Sequence, residues 1–150
     1  MSRTATYHAT VRWTGGHRGK VSLGNGLELA FSAPPDAHGE AGVLTPEDAF
    51  VAAANTCVML MFVWAAERFK LDLRSYECRT EGTKVVALDK TETFTRLLFR
   101  PVIRVGAGGA PPDEVEARTR KALASAQKYS LVVHSVKSAI EVEPEIVVEA

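Results

Sequence analysis

Few residues in this chain could do chemistry by themselves, and the first of them is Cys57. It sits in "TPEDAFVAAANTCVMLMFVWAAERF", residues 45–69, with Glu47 and Asp48 at the start of the run. On a helix its neighbours at spacings of three, four and seven are Phe50, Ala53, Ala54, Leu60, Met61 and Trp64. They leave a gap of small residues beneath the sulfur and an apolar collar above it. Two readings follow: a small buried hydrophobe, as free cysteine often is, or a nucleophile. A nucleophile needs a cation from elsewhere in the chain, because an ordinary thiol is only about a few per cent thiolate at pH 7. The second thiol, Cys78, shares a strand face with Tyr76 and Thr80 and reads as an unreactive inward cysteine.

Other constellations are weaker. Ser130 and His134 are four apart, as in a hydrolytic dyad, but no oriented acid accompanies them. "GAGGAPP" lacks the full glycine pattern of a phosphate loop and reads as a turn. Two cysteines 21 positions apart fit no zinc spacing, and His8, His17, His38 and His134 show no metal spacing either. No metal and no cofactor are expected.

Lys+Arg 18 balances Asp+Glu 18, with no basic run, so a nucleic-acid partner is not expected. The N-terminus lacks the apolar core of a signal peptide and neither end carries a lipidation signature, which points to the cytoplasm, where both cysteines should be free. The apolar run Val51 to Ala66 would be about 24 Å long as a helix, short of the roughly 20 residues a bilayer requires. It reads as the buried helix of a soluble protein, with no membrane partner.

The elements that must position these residues follow from periodicity. "TYHATVRWTGG" alternates as a half-buried strand with Tyr7, Ala9, Val11 and Trp13 on one side, and "GKVSLGNGLELAFSA" continues it around a Gly-Asn-Gly turn into an antiparallel meander. "PPDAHGEAGVL" is a surface loop. Thr45 as N-cap, Pro46 at the first position and two acids in the first turn start a helix that runs to about Lys70. Two long strands then turn near Asp89 and Lys90, with Leu97, Phe99, Ile103 and Val105 on one face and Arg96, Arg100 and Arg104 on the other. A second helix starts at "PPDEVEAR" with an inner stripe of Val115, Thr119, Ala122, Ala126, Tyr129 and Val133. "AIEVEPEIVVE" reads as one last strand. The class is α+β, with a mainly antiparallel sheet, in one domain over residues 1–150. The central helix is apolar nearly all round, which points to a homodimer that covers it.

"TPEDAFVAAANTC" resembles the Pro-Glu, hydrophobic and small-residue run before the first cysteine of the OsmC/Ohr family, the osmotically inducible and organic hydroperoxide resistance proteins. "TGGHRG", "HGEAGVL" and "QKYSLVVHSVKS" extend the resemblance over most of the chain. It implies antiparallel sheets wrapped around a long buried helix in an intertwined homodimer. The implied activity is a peroxidase reducing organic hydroperoxides, and also hydrogen peroxide, in oxidative-stress defence. Cys57 is then the peroxidatic cysteine and Glu47 the acid of its site, orienting an arginine. Strict alignment puts His17 at the arginine's position and a one-residue shift puts Arg18 there; Arg18 is preferred because guanidinium is reliably cationic. The arginine would stabilise the charge developing on the leaving oxygen. Phe50, Leu60, Met61 and Trp64 would line the substrate's apolar part. Many members carry a second, resolving cysteine where this chain has Ser130, so either Cys78 substitutes for it or, the preferred reading, an external thiol serves as reductant. The rival reading is a non-catalytic dimer of the same fold that binds a small apolar molecule at the former site.

Overall fold

The computed structural model describes residues 2–150, and the chain divides into two compact units with the boundary after Phe50. The first unit is the meander the alternation predicts. β1 (Ala9–Gly15), β2 (Arg18–Leu23) and β3 (Glu28–Ser32) pair antiparallel in that order, with Val11 opposite Val21 and Arg18 opposite Ser32. Gly19 lies across from Trp13, where a Cβ would stand 2.5 Å from the Arg12 carbonyl oxygen and 2.9 Å from the Phe31 ring, so only glycine fits. The face carrying Val11 and Trp13 is exposed rather than half-buried, Trp13 by 76%; alternation reports that a strand has an apolar side, not that anything covers it.

A loop with one 3-10 turn, Pro35–Ala37, leads from β3 to α1 (Pro46–Arg68). The start of α1 is as expected: the Asp48 N–H donates to Thr45 Oγ1 at 3.0 Å, and that hydroxyl donates back to Asp48 Oδ2 at 2.8 Å. Glu47 and Asp48 lie in the first turn, where the helix dipole favours acids.

In the second unit, β4 (Asp72–Val86) and β5 (Glu92–Gly106) form a long antiparallel pair. Their turn is held by Asp89, whose Oδ1 accepts from the Thr91 N–H at 3.0 Å and the Thr91 hydroxyl at 2.7 Å. Leu97, Phe99, Ile103 and Val105 are buried. On the opposite face Arg96 pairs with Glu141 at 2.6 Å, Arg100 with Glu81 at 3.1 Å and Glu143 at 3.4 Å, and Arg104 with Glu149 at 3.8 Å.

The helix α1 lays Ala54, Val58, Phe62, Ala65 and Ala66 into this core. Phe62 stacks against Tyr76 at 5.3 Å, and the Asn55 amide donates to the Cys78 carbonyl at 3.0 Å. Gly82 lets the helix approach, since a Cβ there would meet Val51 Cγ2 at 2.7 Å. At 23 residues α1 is long and apolar enough to cross a bilayer, which the shorter apolar run did not suggest; its buried stripe is what a core helix of this fold presents. The other side of α1 is uncovered in the single chain, with Leu60 47% and Trp64 55% exposed.

Two expectations need correction. The second helix, α2 (Pro112–Tyr129), buries Val115, Thr119, Ala122 and Ala126 as expected, but Tyr129 is 57% exposed. Ser130 is extended, with φ −69° and ψ 120°, so the chain leaves the helical phase there before the short α3 (Leu131–His134). The final segment is not one strand. Pro144 has no N–H to continue a ladder, and it separates β6 (Ala139–Val142) from β7 (Glu145–Glu149). Both run parallel to β5, so the sheet is mixed.

Candidate active site

Cys57 lies at the edge of the buried stripe of α1, one turn from both Ala54 and the exposed Ala53. It is half-buried and its thiol is free. Ser130 reaches it from the α2–α3 junction. The break after Tyr129 turns the serine inward with no exposed surface, and its hydroxyl donates to Cys57 Sγ at 3.2 Å. The same oxygen accepts the Val133 N–H at 3.5 Å as the cap of α3. Ser130 is therefore held from two sides, with its hydroxyl against the sulfur. His134 takes no part in a serine dyad: its ring Nε2 contacts the Lys128 carbonyl. Tyr129 and Leu131, which flank Ser130 in the chain, are exposed, as are Leu60 and Trp64 beyond Cys57 on α1, while Met61 is half-buried.

Cys78 is held elsewhere. Its Sγ lies 3.6 Å from Thr80 Oγ1 on the inner face of β4. Tyr76, on that face, has its phenol pushed above the ordinary value of 10, first by burial and then by the Cys78 thiol. Among the described residues nothing stands in ordinary hydrogen-bond geometry to the buried Tyr76 Oη.

Arg18 and Glu47 belong to the first unit, as does Phe50, which is half-buried. Arg18 opens β2 and its guanidinium pairs with Glu40, in the loop between β3 and α1, rather than with Glu47. Glu47 Oε1 is buried and has no hydrogen-bond partner among the described residues. His17 stands beside Arg18, and its ring is 6.0 Å from that of His38. Sequence spacing missed this pairing, because the two histidines are 21 positions apart and only the meander and its loop bring them together.

A half-buried thiol on a core helix, with a serine hydroxyl presented to it from the α2–α3 junction, defines an α+β protein organised around one cysteine. A profile of the OsmC-like protein family matches residues 38–145. The chain belongs to the OsmC-like family. Solved structures share its fold: an OsmC-like protein of unknown function from Vibrio cholerae is 20% identical, with TM-score 0.80 over 94% of this chain and 99% of that one. An organic hydroperoxide resistance protein from Legionella pneumophila is 21% identical, with TM-score 0.68 over 97% and 99%. Another from Elizabethkingia anophelis, with thiocyanate bound, is 19% identical, with TM-score 0.73 over 98% and 99%. A search of curated proteins found no match.

Proposed function

We propose that the protein is a thiol peroxidase that reduces organic hydroperoxides through Cys57 in a reducing, cytoplasmic setting. The observation that carries this reading is the hydrogen bond from the buried Ser130 hydroxyl to Cys57 Sγ at 3.2 Å. A cysteine that only filled space would need no buried hydroxyl at its sulfur; a nucleophile has a use for a hydrogen-bond donor beside the reacting atom. The hydroperoxide resistance proteins of the same fold support the substrate class.

In the proposed reaction the Cys57 thiolate attacks one peroxide oxygen and the O–O bond breaks. The departing alkoxide takes a proton and leaves as an alcohol, and Cys57 becomes a sulfenic acid. By the family resemblance Arg18 would supply positive charge for the leaving oxygen and Glu47 would orient it, which requires the guanidinium to leave the Glu40 carboxylate it pairs with in the single chain. Leu60, Met61, Trp64 and Phe50 receive the apolar part of the hydroperoxide. Serine has no second thiol to offer, so an external thiol condenses with the sulfenic acid, releasing water and forming a mixed disulfide, and a second thiol frees Cys57. The working form is a homodimer, because the exposed side of α1 around Leu60 and Trp64 is apolar enough to need a second copy.

Consumption of cumene hydroperoxide by the full chain with excess dithiol tests the reading. Turnover by the wild type that is lost in Cys57→Ser is expected. Equal consumption by both proteins, or none by either, contradicts it, the latter favouring a binding protein of the same fold.

A further inference from the structure

The geometry points to a divalent metal site in the first unit, built from His17, His38 and Glu40 and controlled by Arg18. These four, with Gly16, Gly39 and the buried Ser32, line one pocket of about 190 Å³. Their backbones are fixed. The Ala33 N–H donates to the His17 carbonyl at 3.0 Å, the Gly39 N–H to the Pro34 carbonyl at 3.0 Å, and the Glu40 N–H to Ser32 Oγ at 3.1 Å. His38 ends the 3-10 turn in the left-handed region at φ 68°, which swings its ring back toward His17.

The two imidazoles, 6.0 Å apart and tilted by 36°, leave room for an ion bonded to one nitrogen of each at about 2.0–2.1 Å after a small rotation of either ring. Two imidazoles and a carboxylate suit a borderline ion such as Zn²⁺, Co²⁺ or Ni²⁺ and are a poor set for Mg²⁺, which prefers oxygen. The same carboxylate makes the pocket unsuited to an anion.

Among the described residues no three ligand side chains yet stand in a metal-holding arrangement, and the reason is visible. Glu40 is engaged by Arg18. Metal and guanidinium compete for one carboxylate, so a bound ion displaces Arg18 and Arg18 weakens the ion. This rests on the pocket alone and stands whether or not Cys57 is a peroxidatic thiol.

The test is competition for Zn²⁺ between the full chain and a chromophoric chelator. The wild type should take one ion per chain, unaffected by an excess of Mg²⁺ or by Cys57→Ser. His17→Ala, His38→Asn and Glu40→Gln should each weaken binding by at least about tenfold, the range in which even outer-shell losses fall; asparagine tolerates the left-handed backbone at 38. Arg18→Ala should tighten it, which no incidental pair of surface histidines would produce. Absence of stoichiometric binding, binding that survives His17→Ala, or Arg18→Ala without effect overturns the proposal. Binding that disappears with Cys57→Ser moves the ion to the thiol and overturns it too.

Discussion

At the scale of single residues, the cysteine depends on what stands across from it. The Ser130 Oγ to Cys57 Sγ separation of 3.2 Å is close enough that a sulfur in place of the oxygen needs only a small shift to reach bonding distance. Ser130→Cys should therefore form an intramolecular disulfide with Cys57 on mild oxidation. Intact mass would show the loss of two hydrogens, and digestion a linked peptide pair; a folded variant that oxidises without that bridge would mean the two side chains do not face each other. Tyr76 offers a second residue-level test. Its phenol is held above the ordinary value of 10, so the native state favours the neutral form. The stability this contributes is present below about pH 10 and is lost as pH rises beyond it. Tyr76→Phe keeps the ring on Phe62 and removes a buried hydroxyl that finds no hydrogen-bond partner among the described residues, a change that relieves an uncompensated desolvation cost and is neutral or favourable. Thermal melts should show a Tm at least as high as wild type at pH 7 and a shallower fall above about pH 10. An equally steep fall would shift the alkaline sensitivity to other groups.

At the scale of elements, what could be read from the sequence was what is local. The cap of α1 was legible because Thr45, Pro46, Glu47 and Asp48 each act within one turn, and the Thr45–Asp48 bonds bear that out. The faces of β5 were legible because alternation and burial share a period of two. The break at Ser130 was not, since Tyr129 and Val133 continue the stripe of α2 in spacing although the backbone has left the helix. Nor was the parallel pairing of β6 and β7 with β5: the Glu/apolar alternation runs on through Pro144, and the choice of sheet neighbour is a long-range matter. The meeting of His17 and His38 escaped for the same reason. The packing of α1 on β4 yields its own prediction. Gly82→Ala puts a methyl 2.7 Å from Val51 Cγ2 and 3.0 Å from the Phe94 ring, both crowded side chains. Overpacking of this kind costs about 1–3 kcal/mol, to be read as a lower midpoint in urea; an unchanged midpoint would mean the helix can back away freely.

At the scale of the whole molecule, the unanswered surface is apolar. Trp13 in the first unit and Leu60 and Trp64 in the second are large and exposed, more than isolated surface hydrophobes require. A homodimer would cover them, and light scattering at micromolar concentration should give twice the chain mass of 16.2 kDa. Trp64→Glu should shift that mass toward the monomer. A wild type that is monomeric and fully folded would remove the dimer from the account.

The central claim is that Cys57 is a nucleophile toward peroxide. The most direct measurement is the intact mass of the protein after one equivalent of cumene hydroperoxide, with dimedone present to trap sulfenic acid. The account predicts a single dimedone adduct, located on the Cys57 peptide and absent in Cys57→Ser, while Cys78 stays unmodified. No change in mass even with excess peroxide, or an adduct carried by Cys78 alone, would contradict it.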